Sequence, residues 1–332
     1  MKTEGSKLNK PFLLKPSGKD YLWGGNRLND DFTKDLNMVP LAETWECSTH
    51  PNGPSYVASG EYEGRTLREV IQSHPEYLGL HSESKGDLPV LVKLIDAYDD
   101  LSVQVHPDDK YAKTNENGQS GKTEMWYVLD ASDDAHIIYG LNTSVSKRAM
   151  IEALDTDSVE KFLKKIPIKK DDIYIIPAGT VHSICKGALI AEIQENSDLT
   201  YRLYDYNRID KDGNRRELQI DKALDVANLA ALETPKQPLR LLKYRPGVAS
   251  ELLARCKYFE VHRMIVNTEL KQKVAYQSDE MSFRVLLCIS GCGIIRFDDE
   301  ILDIYKGDCV FVPADSMELL IHGQLQFLDI RG

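Results

Sequence analysis

Three short stretches of this chain carry side chains able to bind a metal ion. In Leu101-Ser-Val-Gln-Val-His106, the two-residue repeat of a strand puts Ser102, Gln104 and His106 on one face and Leu101, Val103 and Val105 on the other. Taken alone, this also reads as a surface strand with a wet polar face. In Lys122-Thr-Glu-Met-Trp126 the same repeat gathers Lys122, Glu124 and Trp126 on one face, which alone reads equally as an exposed, salt-bridged edge. In Pro177-Ala-Gly-Thr-Val-His182 a glycine-containing turn follows an apolar stretch and presents an imidazole. Together, two imidazoles, one carboxylate and an amide form the N/O ligand set of a catalytic divalent-metal site, which keeps a position open for water or substrate. The two-His, one-carboxylate set also matches non-haem iron oxygenases, so spacing leaves both the metal and the reaction open.

The elements that must hold these residues are mainly β. Period-two alternation predicts short strands at Pro89–Asp96, Leu101–His106, Glu124–Leu129, Asp172–Ile176 and Phe283–Ile289. Helical patterns are few. Thr66-Leu-Arg-Glu69 is a capping box opening a helix over Leu67–Ser73, which Pro75 ends. Two more, near Ser146–Leu154 and Asp157–Lys165, predict a compact α-helical insertion, and a fourth, near Gln219–Asn228, follows the turn signal Lys211-Asp-Gly-Asn214. Gly291-Cys-Gly293 lacks the context of a phosphate-cradling loop and reads as a strand turn.

The chain also repeats itself. Asp172-Ile-Tyr-Ile-Ile-Pro-Ala-Gly179 is echoed by Asp308-Cys-Val-Phe-Val-Pro-Ala-Asp315, each copy a buried strand ending in a proline turn. The second copy has Glu318 where the first has His182, so a metal site is expected only in the first. Between the copies, Glu233-Thr-Pro-Lys-Gln-Pro238 puts two prolines into a connection, where a domain boundary is expected.

With 41 basic and 52 acidic residues in 332, the net charge is −11, and 42% of the residues are hydrophobic. That is a globular composition, and the length suggests two domains able to build cores without disulfides. The negative surplus, without a block of basic residues, does not suit nucleic acid or an anionic membrane surface. No apolar run approaches the ~20 residues of a membrane span, and the opening residues lack an export signal. The six cysteines are scattered and read as reduced thiols, so a cytoplasmic location is expected.

These features resemble the cupin superfamily, whose second motif is matched by Asp171 through His182. More closely they resemble type I mannose-6-phosphate isomerase in its short bacterial form. The resemblance rests on Tyr21-Leu-Trp-Gly-Gly25, Ala42-Glu-Thr-Trp-Glu-Cys-Ser-Thr-His-Pro51, Leu101 through Asp109, Lys122-Thr-Glu-Met125, Pro177 through His182 and Glu192-Ile-Gln-Glu-Asn-Ser-Asp-Leu-Thr-Tyr-Arg202, in the family's order. It covers roughly residues 20–230. It implies one zinc ion per chain on His106, Glu124 and His182, with Gln104 a further ligand, Arg202 as the active-site arginine and Glu192 as the proton-transfer base. It also implies two cupin-like β-barrel or jelly-roll domains: residues 1–235 with the metal and a helical insertion at about 144–166, and residues 236–332 without ligands.

The implied reaction interconverts mannose 6-phosphate and fructose 6-phosphate through a cis-enediol, and the residues suit it. Negative charge that develops on the sugar oxygens is stabilised by a Lewis acid, and a carboxylate can carry the proton between carbons. The phosphate requires local cations against the field of the whole chain, and Ser102, Lys122 and Arg208 are the nearest candidates. Two rivals share the fold: an iron-dependent oxygenase and a non-catalytic sugar-phosphate-binding cupin. Oligomeric state is not legible in the sequence.

Overall fold

The computed structural model describes residues 9–82, 86–209 and 213–332, so Lys211 and Asp212 of the turn signal lie outside the described residues. The architecture is mainly β, as the alternation predicts. Strands run at Val90–Ala97, Val103–Val105, Glu124–Ala131, Ile173–Ile176 and Arg284–Phe297. Ladder pairing is antiparallel throughout these sheets, and their strand order is open, with a jelly-roll-like layering.

Two sheets build the site. A six-stranded sheet runs in the order Ile173–Ile176, Glu124–Ala131, Ala188–Glu195, Val90–Ala97, Glu43–Cys47, Ser17–Lys19. A five-stranded sheet runs Tyr201–Tyr204, Val103–Val105, His182–Ile184, His136–Leu141, Leu163–Pro167. Apolar residues from both sheets, among them Ile95, Trp126, Val128, Ile137, Ile184 and Ile190, join one core cluster. Burying such side chains stabilises by about 1.5–3 kcal/mol each, which keeps the two layers in register.

A third, ten-stranded sheet contains the C-terminal strands, and the N-terminal strand Phe12–Lys15 enters it by pairing with Cys309–Val312. One large core cluster, including Leu14, Val92, Met125, Phe283, Phe311 and Ile330, joins this sheet to the back of the six-stranded one. The connection at residues 233–238 does more than link. The Gln237 amide bonds both the N–H of Ile173 (2.8 Å) and its C=O (3.1 Å), covering the open edge of the six-stranded sheet.

Helix Leu67–Ser73 carries the capping box with both reciprocal bonds formed. Helix Lys147–Asp155 forms with Ser146 as its cap, and Ile220–Val226 realises the last predicted helix. The helix expected over Asp157–Lys165 does not form. A short 3-10 turn, Val159–Phe162, gives way to strand Leu163–Pro167, because Leu163 and Ile166 find a buried seat against His136–Leu141. Local helical pattern loses there to sheet pairing. Gly291-Cys-Gly293 is not a turn either; it lies inside strand Arg284–Phe297, beside a register shift between Cys288 and Ser290.

The internal repeat is structural. Strands Ile173–Ile176 and Cys309–Val312 both end at the proline, and both turns use a left-handed residue, Gly179 at φ 84° and Asp315 at φ 48°. Aspartate tolerates that conformation better than most non-glycine residues. Downstream, His182 is buried whereas Glu318 is exposed.

Candidate metal centre and active site

Register alone aligns the site. In the six-stranded sheet one rung reads Tyr174, Trp126, Glu192, Lys93, Trp45. In the five-stranded sheet another reads Arg202, Gln104, His182, Tyr139. Between the two layers lies a cavity of about 240 Å³ lined by residues of both, Gln104 and Arg202 on one side and Trp126, Glu192 and Lys93 on the other.

His106, Glu124 and His182 are each almost fully buried, and their ligand atoms lie within 4.8 Å of one another. Among the described residues this is the one such cluster of His, Cys, Asp and Glu. The Nε2 atoms of the two histidines stand 3.1 Å apart, and Glu124 oxygens lie 3.3 Å from His106 Nε2 and 3.4 Å from His182 Nε2. Among the described residues both buried carboxylate oxygens of Glu124 lack a hydrogen-bond partner, although Lys122 Nζ lies 3.0 Å from Oε2. A buried carboxylate with unsatisfied oxygens is costly unless something positive completes it. The Gln104 amide lies 3.4 Å from His182 Nε2 and presents its oxygen there when rotated, since the two ends of an amide are assigned by their surroundings. The donor set is therefore that of an N/O divalent-metal site.

Electrostatics prepare these groups as ligands. Burial, reinforced by the charge of Lys122, pushes His106 down to about 3, and burial also lowers His182, so both imidazoles are neutral. For Glu124 burial acts the other way, but Lys122 and the two histidines outweigh it and hold the carboxylate well below its ordinary value.

The faces read as wet or edge-like in isolation are interior. Ser102, Lys122, Glu124 and Trp126 are all buried, and Ser102 and Lys122 line the cavity. Leu101 departs from the alternation because the strand begins only at Val103, and it too lines the cavity. Glu192 is buried on the strand that neighbours Glu124 in the same sheet, and Lys122 stands near both carboxylates. Trp126 Nε1–H donates to its Oε2 at 3.1 Å, while Oε1 is left without a hydrogen bond, 3.5 Å from Lys93 Nζ and 3.9 Å from Lys122 Nζ. Burial, then repulsion from Glu124, raises its pKa against the pull of the two lysines. Its cationic neighbours are these lysines, and Arg202 lines the opposite side of the cavity. Arg208 is not among the cavity-lining residues; it bonds the Asp205 carboxylate and the Asp100 carbonyl instead.

Sequence reading passed over Lys93, Glu43 and Arg216, which line the cavity as well. Lys93 is fully buried, 3.5 Å from Glu43 and over the Trp45 ring at 4.6 Å. A lone lysine within Val90-Leu-Val-Lys-Leu-Ile95 was a readable signal, since an unpaired cation does not sit in a buried strand. Tyr21 and Trp23 reach the cavity because Gly24 and Gly25 pass so close to Ala42 and Asp96 that added Cβ atoms would meet them at 2.4 and 2.3 Å.

Sheets of this kind with one converging His/Glu/His cluster define a cupin-type protein with a candidate metal centre. Residues 12–159 match the model for phosphomannose isomerase type I, catalytic domain, and residues 250–331 that for the mannose-6-phosphate isomerase cupin domain. Mannose-6-phosphate isomerase ManA of Bacillus subtilis is 36% identical over 95% of this chain and 96% of its own length. The mannose-6-phosphate isomerase of Streptococcus mutans is 34% identical over 96% of this chain and 97% of its own. The crystal structure of the Bacillus subtilis mannose 6-phosphate isomerase superposes with a TM-score of 0.89 at 36% identity, covering 97% of this chain and 99% of that one. The chain belongs to the type I phosphomannose isomerases. No helix among the described residues is long and apolar enough to cross a membrane.

Proposed function

We propose that this chain is a zinc-dependent aldose-ketose isomerase that interconverts mannose 6-phosphate and fructose 6-phosphate through a cis-enediol. The observation that carries the reading is the convergence of His106, Glu124 and His182 on one point, against Gln104 and Lys122 of a cavity that also holds a separate buried carboxylate, Glu192. His106, Glu124 and His182 hold the ion, with Gln104 as a further ligand. When bound, zinc supplies Lewis-acid stabilisation of negative charge on the sugar oxygens.

The chain's own residues do the rest. Glu192 takes the proton from C2 of mannose 6-phosphate through Oε1 and returns it to C1, while the proton of the C2 hydroxyl passes to the C1 oxygen. Trp126 holds Oε2 and so fixes which oxygen faces the sugar. Lys93 and Lys122 hold positive charge near Glu192 and stabilise its ionised form. Arg202 remains protonated and acts as a fixed positive charge. Ser102 and Lys122 offer hydrogen bonds to the bound sugar phosphate. The catalytic unit is residues 1–235, and residues 236–332 form a cupin-like domain without metal. The free thiols, four of them buried, suit a reducing cytoplasm.

A coupled assay following mannose 6-phosphate to fructose 6-phosphate tests this directly. Turnover that disappears on chelation and returns with zinc is expected. Oxygen consumption with iron, or binding without turnover, would replace it by the oxygenase or the binding-module reading.

A further inference from the structure

The expected phosphate cation Arg208 is engaged by Asp100 and Asp205 and does not line the cavity, yet the cavity holds an arginine that the sequence did not single out. Arg216 lines it beside Arg202. The Arg216 guanidinium is held by Asp205 through Nε at 2.8 Å and through Nη2. Arg208 binds the same Asp205 oxygen as Arg216 Nη2, so one buried carboxylate orients two guanidiniums and leaves a net positive charge. The segment is also tied to the strand that bears Arg202. Gln219 N–H donates to the Arg202 carbonyl at 2.9 Å, and Arg202 N–H donates to the Gln219 side-chain oxygen at 3.0 Å.

Arg202 itself is the least satisfied cation of the cavity. Among the described residues no ion pair or hydrogen bond holds its guanidinium, and its buried Nε has no partner. Lys93 and Lys122, by contrast, stand against Glu43, Glu124 and Glu192. Burial and the charge of Arg216 both disfavour protonated Arg202 in the free protein, a repulsion that a bound dianion relieves.

Position agrees with charge. Arg202 pairs with Gln104 on the neighbouring strand, which places it about 4.8 Å beyond the strand of Gln104, on the side away from His182. In a hexose 6-phosphate the phosphate is at the opposite end from C1 and C2, so its seat must lie away from the metal cluster within the same cavity. We infer that Arg216, oriented by Asp205, and Arg202 together seat the phosphate of the substrate. Two guanidiniums match phosphate oxygens in geometry and charge better than a single lysine does. Arg216 is then a specificity residue for the phosphorylated sugar and Asp205 a positioning residue.

The inference rests on the sugar-phosphate reading above, and the test separates the two. With zinc-loaded full-length protein, Arg216→Ala should raise KM for mannose 6-phosphate, and the calorimetric Kd for inorganic phosphate, by about 10- to 100-fold. The fall in kcat should be much smaller than the rise in KM. Arg216→Lys should recover part of both affinities, and Asp205→Asn, with both arginines present, should give a smaller loss. Unchanged KM and phosphate affinity in Arg216→Ala, or a fall in kcat at unchanged KM, would overturn the assignment. If the wild type fails to turn over mannose 6-phosphate, the isomerase reading falls, while phosphate calorimetry on the same variants still decides whether Arg216 and Arg202 bind the anion.

Discussion

His106 and His182 meet through their Nε2 atoms at 3.1 Å, and His182 also lies 2.8 Å through Nδ1 from the Thr180 carbonyl. A neutral His182 that donates from Nδ1 to this carbonyl keeps its lone pair on Nε2. Among the described residues His106 Nδ1 has no hydrogen-bond partner. The Glu124 oxygens face the same point as the two Nε2 atoms, so a single cation there would be shared by all three groups.

The protein should therefore bind about one equivalent of zinc and unfold at higher temperature when loaded. At a hundred- to thousandfold excess over Kd, the gain is about 3–4 kcal/mol. Elemental analysis and thermal unfolding check this, with His182→Ala as control. Metal content and melting temperature that respond in His182→Ala as in the wild type would dismiss the ligand assignment.

A second expectation concerns the repeat. Glu318 replaces the histidine and is exposed, and Asp315 keeps the left-handed turn without adding a neighbouring ligand cluster. Crystals soaked in excess zinc should show no ordered ion beside Glu318. An occupied site there would contradict a metal-free second copy.

Glu192 and Arg202 should separate by assay. Glu192→Gln keeps shape and an acceptor for Trp126 but cannot accept the C2 proton, so it should bind fructose 6-phosphate and fail to wash deuterium from heavy water into the sugar. Arg202→Ala should retain metal and, as one of the two cations that seat the phosphate, raise KM for mannose 6-phosphate by about 10- to 100-fold while proton exchange at C2 persists at saturating substrate. Near-wild-type exchange in Glu192→Gln would shift the base elsewhere. Asp198, a cavity residue bonded by Asn52 at 2.9 Å, would be next to test.

The metal cluster was legible because its information is local. Period two fixed which side chains share a face in Val103–Val105 and Glu124–Ala131, and the Pro-Ala-Gly turn marked His182. What the sequence concealed came from pairing between distant segments. Whether the Gln104 face meets solvent or an opposing sheet depends on the strand of Glu192 lying across the cavity, which no local pattern states. Arg208 and Arg216 flank the same turn signal and look alike in sequence; both bind Asp205, and it is the distant Asp100 carbonyl that engages Arg208 while Arg216 lines the cavity. The strand Leu163–Pro167 likewise depends on a partner, His136–Leu141, without which its residues read as helix.

The last prediction concerns Glu195, where the segment after Glu192 meets the C-terminal domain. Its Oε1 accepts from Thr123 N–H at 2.7 Å, and the carboxylate of Asp109 stands on its other side. Asp109 in turn is bonded by Gly121 N–H at 3.1 Å, Tyr258 O–H at 3.1 Å and Lys257 Nζ at 3.2 Å, and Cys256 adjoins the group. Burial raises Glu195 to about 7, opposed by the Thr123 N–H and reinforced by the charge of Asp109. The folded chain thus holds this proton up to about pH 7, whereas an unfolded glutamate, with its ordinary value of 4.5, releases it much earlier. The native state binds more protons in that window, so the stabilisation is fully present below the unfolded value and is lost as pH rises through the folded one. Glu195→Gln keeps an acceptor for Thr123 and does not titrate. Its stability relative to wild type should rise by about 2–3 kcal/mol between pH 5 and pH 8, read from urea midpoints at each pH. A difference that stays constant across that range would show that Glu195 does not hold a proton at this junction.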